Sequence, residues 1–257
     1  IYMLIYKMSS IFIKHNHTQF EDSLLKEADG LKVLSDALSP DAKVITPKIY
    51  EVDENSMHLE KIYSASPSKE QYLTLGKELA KMHKRVYEFY GYAEDNHIGL
   101  SLQKNILSKN WGEFFIIYRL NYQLSLIQDK AIQSRFQSIL DANKKKLESF
   151  LNDTTKHPSL LHGDLWSGNV MFDNEYVYLI DPAAYYGDRE VDIAMTEMFG
   201  GFDREFYDSY EKEYPKSKHY NTKKIIYNLY HYLNHYNLFG HGYLGGCEDG
   251  FELIKSL

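Results

Sequence analysis

Residues 160–192 read LLHGDLWSGNVMFDNEYVYLIDPAAYYGDREVD and carry most of the chemistry that this chain offers. His162, Gly163 and Asp164 stand in succession, and Asn169 follows Asp164 by five positions. Val170 to Phe172 and Tyr176 to Ile180 are apolar enough for two short strands, with Asp173 and Asn174 supplying the turn. A hairpin returns its ends to within one strand spacing of each other. Asn169 and Asp181 are therefore expected side by side as two hard oxygen donors, with Asp164 close by on the preceding loop.

Such a set suits Mg²⁺ and a nucleotide, because Mg²⁺ takes a few protein oxygens plus substrate phosphates and seldom an all-protein cage. The order Asp, four residues, Asn and then a later Asp is that of the catalytic loop and metal aspartate in kinases. Two positions depart from that order. Gly163 replaces the usual Arg, and Pro182-Ala183 replaces Phe-Gly after the metal Asp. A surface loop whose polar groups merely cap turns would account for Asp164 alone; the ordered triple with its hairpin favours a site.

Outward from this stretch, Ile1 to Lys7 is apolar and β-rich, and Ile11 to Lys14 reads as a second strand. Glu21 to Leu38 has helical spacing and Pro40 stops it; Lys48 to Val52 is a strand, and Met57 to Ile62 is a strand running into a linker. A long helix from Ser68 carries the stripe Tyr72, Leu75, Leu79, Met82, Val86 and Phe89. Trp111 to Ile127 and Ser134 to Leu151 are further amphipathic helices. Glu190 and Asp192 open another, where they serve either the helix dipole or the loop before them. His83 reads as structural. His231 and His235 are four apart, a zinc spacing, but no third ligand accompanies them.

The 257 residues allow one large domain or two lobes, and 44% hydrophobic residues supply a core. The 23 tyrosines are expected mostly at half-buried helix contacts. A formal charge of −7 argues against non-specific nucleic-acid binding. The single cysteine, Cys247, permits no internal disulfide and fits a reducing cytoplasm. No stretch is long and apolar enough to span a bilayer, and no signal peptide is visible.

HGDLWSGN (162–169), IDPAAYYGDREVDIAM (180–195) and MFGGF (198–202) resemble the fructosamine kinase, or ketosamine kinase, family. LNHYNLFGHGY (233–243) is similar to the same family, as is the middle stretch with Ile98-Gly99, Gln103, Asn105, Trp111 and Phe114-Phe115. The likeness covers nearly all of the chain after Ile11. It implies an α+β, bilobal, protein-kinase-like fold: a small β-rich nucleotide-binding lobe over residues 1–60 and a mainly helical catalytic and substrate-binding lobe over 61–257. It implies an ATP- and Mg²⁺-dependent kinase acting on the 3-hydroxyl of a ketosamine (a fructosamine, ribulosamine or erythrulosamine) in deglycation of proteins or amino acids.

The same resemblance assigns roles. Asp164 orients the hydroxyl and accepts its proton, while Asn169 and Asp181 hold Mg²⁺. Lys14 meets the nucleotide phosphates and Glu27 pairs with it. The backbone of Glu60, Lys61 and Ile62 meets the adenine edge. Trp166 is the aromatic wall for the sugar, His235 reaches the sugar pocket, and Asn105 and Trp111 are further pocket candidates. One departure concerns the phosphates: residues 1–13 contain no Gly, so the first strand and the glycine loop are expected to be missing or altered. Two alternatives stand beside this reading, an aminoglycoside- or choline-type kinase of the same fold and a degenerate kinase-like binding module.

Overall fold

A computed structural model describes residues 10–257; the strand expected at residues 1–7 lies outside the described residues. The chain then forms β1 (Ile11–His15), α1 (Ser23–Ala37), β2 (Val44–Ile45), β3 (Ile49–Val52) and β4 (Ser56–Glu60). β4 lies between β1 and β3 in an antiparallel sheet, with Phe12 opposite Leu59 and Lys14 opposite Met57. Alternation along β4 turns Met57 and Leu59 inward, where they meet Leu24, Ala28 and Leu31 of α1. Those three recur at helical spacing, so α1 lies against one face of the sheet.

The rest of the chain supplies α2 (Lys69–His83), β5 (Asn96–Ile98), β6 (Ser101–Gln103), α3 (Trp111–Phe114), α4 (Tyr122–Leu126) and α5 (Lys130–Thr154). There follow β7 (Ser159–Leu161), β8 (Val170–Phe172), β9 (Val177–Leu179), β10 (Tyr185–Gly187), α6 (Glu190–Met198), α7 (Arg204–Glu213), α8 (Tyr220–Phe239) and α9 (Leu244–Ser256). β2 does not join the first sheet. It runs parallel to β9, with Val44 opposite Val177, and so ties residues before Glu60 to the catalytic hairpin.

α2 opens on a capping box: Ser68 Oγ accepts from the Gln71 N–H at 3.2 Å, and Gln71 Oε1 accepts from the Ser68 N–H at 2.9 Å. Its stripe ends at Met82, short of the expected Val86 and Phe89. The helix stops at His83 and Val86 is 68% exposed. The reason lies in the backbone beyond: the Tyr87 N–H donates to Pro158 O and Tyr90 pairs with Ser108, partners far away in sequence. Trp111 to Leu126 is helical as expected, but Phe115–Asn121 is wound as a π-helix. That wider turn brings Phe115, Ile116, Arg119 and Leu120 inward together. Phe115, Ile116 and Leu120 join Tyr227, Tyr230 and Phe251 in the main core beneath the catalytic stretch.

Candidate active site

β7 delivers the loop that begins at His162. The backbone N–H groups of His162 and Gly163 donate to Asp192 Oδ2 and Oδ1 at 2.8 and 2.9 Å. Asp192, in the first turn of α6, thus grips the catalytic loop from below. Burial pushes its carboxyl up, but His83, His162 and the Gly163 N–H outweigh burial and hold it below its ordinary range. His83 lies between Asp192 and the Tyr210 hydroxyl, at 3.3 and 2.8 Å, a structural role. Gly163 has φ +81°, and a Cβ there would stand 2.0 Å from Ala183 O. The Ala183 N–H in turn donates to His162 O at 2.9 Å. Gly163 thus leaves room for the Ala183 backbone, whereas Pro182 lies against Gly30 of α1.

The hairpin pairs Val170 with Leu179, and the Ile180 N–H donates to Asn169 O at 3.1 Å, so Asn169 and Asp181 end adjacent strands. Asn169 Nδ2 donates to Asp164 O at 2.8 Å and to Asp164 Oδ2 at 3.1 Å, and lies 3.5 Å from Asp181 O. Burial pushes the Asp164 carboxyl up to about 7, with Asn169 opposing and the charges of Asp181 and Asp192 adding. Asp181 itself sits at φ +52°, a left-handed conformation uncommon outside glycine.

Lys14 Nζ closes the arrangement. It bonds Glu27 Oε1 and Oε2 at 2.8 and 2.7 Å and Asp181 Oδ1 at 2.8 Å. Burial works against its charge, yet the two carboxylates outweigh it and hold the ammonium above its ordinary range. Burial pushes Glu27 up to about 7, while Lys14 pulls it down and Asp181 pushes it further up.

Two clefts meet at Lys14 and Asp181. One, of about 390 Å³, is lined by Lys14, Glu27, Asp164, Trp166, Asn169 and Asp181. The other, of about 380 Å³, is a mainly apolar slot between Phe12, Pro47 and Leu59 on one side and Met171 and Ile180 on the other, with Glu60 to Ile62 along it. In that linker the Glu60 and Lys61 N–H groups donate to Lys48 O and Ser10 O, whereas the Ile62 N–H has no partner among the described residues. A flat heterocycle fits such a slot, with a backbone donor at its edge.

The donor set also fits Mg²⁺. With Asn169 Nδ2 tied to Asp164, its Oδ1 and Asp181 Oδ2 accept no hydrogen bond from the described residues. No group of three or more His, Cys, Asp and Glu able to hold a metal occurs among the described residues. A cation here would draw its remaining ligands from phosphates, the habit of Mg²⁺.

Trp166 is 38% exposed at the wall of the first cleft. His235 donates Nδ1–H to His231 O at 2.8 Å, and its ring centroid lies 5.3 Å from that of Phe199, which meets Trp166 at 6.1 Å. Two pocket candidates need correction. Trp111 is 1% exposed, its Nε1–H on the Tyr227 hydroxyl, because it packs in the core with Phe114 and Phe115. Asn105 lines neither cleft: its Nδ2 reaches Glu94 O, Asn96 Oδ1 and Gln103 O, and its Oδ1 accepts from Arg119.

Sequence reading missed the clamp that this reveals. Asn96 Nδ2 donates to Ala184 O at 2.8 Å and Gln103 Nε2 to Ala183 O at 3.0 Å, fixing the backbone just after Asp181. The Tyr230 hydroxyl donates to Gln103 Oε1, and Arg119, fully buried, lies 4.1 Å over the Tyr185 ring. The two amides face each other across the open end of the short β5–β6 ribbon, with Gln103 Nε2 donating to Asn96 Oδ1 at 2.9 Å, and only their residue types signal the role in sequence.

Comparison with known proteins follows the same lines. The description of one family, fructosamine kinase, matches residues 1–255. A Vibrio parahaemolyticus protein named a probable ketoamine kinase is 37% identical over 252 residues, covering 95% of this chain and 85% of its own length. A chloroplastic protein-ribulosamine 3-kinase of Oryza sativa subsp. japonica is 37% identical over 263 residues, covering 96% and 74%. A crystal structure from Thermobifida fusca that carries the fructosamine-3-kinase name matches with a TM-score of 0.82 at 27% identity, covering 96% of this chain and 86% of its own.

Proposed function

The chain belongs to the fructosamine kinase family, with its protein-kinase-like fold, and from that premise we propose that it phosphorylates the 3-hydroxyl of a ketosamine at the expense of ATP. The observation that carries this reading is the meeting of Lys14, Asp164, Asn169 and Asp181 on one cleft that opens beside an apolar slot. Of the described residues, 10–60 form the nucleotide lobe and 61–257 the catalytic lobe. The adenine enters the slot and meets the Ile62 N–H; Lys14, released from Asp181 and steadied by Glu27, binds the phosphates.

Asn169 and Asp181 are the residues that would hold Mg²⁺, which when bound neutralises phosphate charge. Asp164 orients the acceptor hydroxyl and takes its proton. Its raised affinity for protons, near 7, matches it to that task at neutral pH. The Asn169 amide holds the carboxylate in place, and the Asp192 grip keeps the loop from drifting. Trp166 flanks the sugar, and His235, which lines neither cleft, stands behind it through Phe199. Ketosamines carried on protein lysines or on free amino acids both suit an open cleft. Among the described residues no helix is long and apolar enough to cross a membrane.

A coupled assay of ATP turnover with ribuloselysine and with kanamycin tests the reading. Turnover with ribuloselysine is expected, with kcat/KM falling below about pH 7 as Asp164 takes up its proton. Activity confined to kanamycin would reject the ketosamine assignment.

A further inference from the structure

α1 carries Glu27, the partner of Lys14, and different sides of this helix face the two lobes. Leu24, Ala28 and Leu31 lie on the first sheet, whereas Leu34 and Ala37 of the last turns enter a core with Leu75 and Leu79 of α2 and Leu179 of β9. Gly30 faces the segment after Asp181, where a Cβ would stand 3.1 Å from Pro182 Cγ.

Asp22, Lys26 and Asp29, four and then three residues apart, share one further side of the helix. Each is bonded to the second lobe. His97 Nε2 lies 2.9 Å from Asp22 Oδ1, Lys26 pairs with Glu94, and the Tyr92 hydroxyl donates to Asp29 Oδ2 at 2.6 Å. Asp22 stands at the N-cap of α1, yet its side chain accepts nothing from the helix N–H groups, a contact usually worth about 1 kcal/mol. Its carboxylate goes to His97 instead, whose ring packs on Phe20 with 4.6 Å between centroids. The three bonds form a ladder from the helix to residues 92–97.

The ladder and the clamp behind Asp181 are built on the same strand. Successive residues of a strand point to opposite sides, so Asn96 of β5 reaches Ala184 O while His97 beside it reaches Asp22. β5 thus stands as a post between α1 and the backbone just beyond Asp181. In protein kinases the lysine–glutamate pair and the metal aspartate must both be in place, and activation works by positioning the helix that carries the glutamate. We infer that Asp22, Lys26 and Asp29 are positioning residues that lock α1 to the second lobe, so that the Lys14–Glu27 pair is set by the fold and needs no activating event. That role rests on the kinase reading of the pair. Each bond alone is modest, since charged partners near water gain little. Acting together on one rigid helix, they fix its rotation, and the rotation decides whether Glu27 meets Lys14.

The test measures ATP turnover, with whichever of ribuloselysine and kanamycin the wild type accepts, in the wild-type chain, in Tyr92→Phe/Glu94→Gln, in Glu27→Gln and in the variant that combines all three changes. Tyr92 and Glu94 line neither cleft, so the two ladder changes leave the site itself intact. Tyr92→Phe/Glu94→Gln is expected to lower kcat/KM for ATP roughly tenfold with KM for the acceptor unchanged. Tyr92→Phe alone, which keeps the ring packed, is expected to show part of the same loss. In the Glu27→Gln background the two ladder changes are expected to cost nothing further, because they act through the side chain already removed. Equal losses in both backgrounds, or no loss in the wild-type background, would overturn the positioning role while the kinase reading stands. A wild type that turns over neither acceptor would overturn that reading and the positioning role together.

Discussion

Replacing Asp164 with Asn removes a charge that the cleft resists, so the variant should lose turnover and gain stability together. Burial raises the Asp164 carboxyl from 3.8 to about 7. A rise of roughly three pH units, at about 1.36 kcal/mol each, opposes the ionised fold by about 4 kcal/mol. Water at the open side of the cleft recovers part of that, leaving about 2 kcal/mol to be seen, or about 4–8 °C in a chain of this length. The sign follows from the direction of the shift. Below about pH 4 the group is protonated folded and unfolded, and nothing is lost. Between about 4 and 7 the unfolded chain ionises first and the native state loses ground; above about 7 the loss is complete. The amide oxygen introduced by D164N can still accept from Asn169, so the loop keeps its contact. Melting of the nucleotide-free chain near pH 8 and near pH 4.5 should show a higher Tm for D164N at the first and little difference at the second, with turnover down about 10²–10⁴-fold. An unchanged or lower Tm near pH 8, or the same rise at both values, would refute the account of Asp164 as a buried base.

Gly163→Ala places a Cβ 2.0 Å from Ala183 O at a φ of +81°, and should cost at least about 2 kcal/mol in urea unfolding and abolish activity; wild-type stability would sink the packing argument. Glu27→Gln leaves Asp181 as the one charged partner of Lys14 among the described residues, and kcat/KM for ATP should drop about ten- to hundredfold, the worth of a charge-assisted hydrogen bond. An unchanged value would separate Glu27 from nucleotide binding. Gln103→Leu strands Ala183 O and the Tyr230 hydroxyl at about 1–3 kcal/mol each, and should raise the Mg²⁺ concentration needed for half-maximal rate by loosening the backbone behind Asp181. Lower stability with an unaltered Mg²⁺ requirement would make the clamp structural only.

What could be read from the chain depended on whether a residue's role is written in its own side chain. Asp173 and Asn174 between two apolar runs announce a turn, and that turn alone brings Asn169 to Asp181. Val86 and Phe89 continue a helical stripe in letters, but the helix yields where the backbone of Tyr87 and Tyr90 finds partners at Pro158 and Ser108. Trp111 and Asn105 are residue types that bind sugars, and nothing local says that one is needed in the core and the other beneath Arg119. The π-turn at Phe115–Asn121 that carries Arg119 inward follows from packing over a whole helix, and the pairing of β2 with β9 joins residues more than a hundred apart. Gly163 is the instructive case. As a letter it is a missing arginine, a loss relative to the kinase pattern; in space it is the residue that lets the Ala183 carbonyl approach the catalytic loop. A departure from a motif therefore need not be a loss: here the glycine beside the proposed base, Asp164, leaves room for a backbone carbonyl two residues beyond the proposed metal ligand, Asp181.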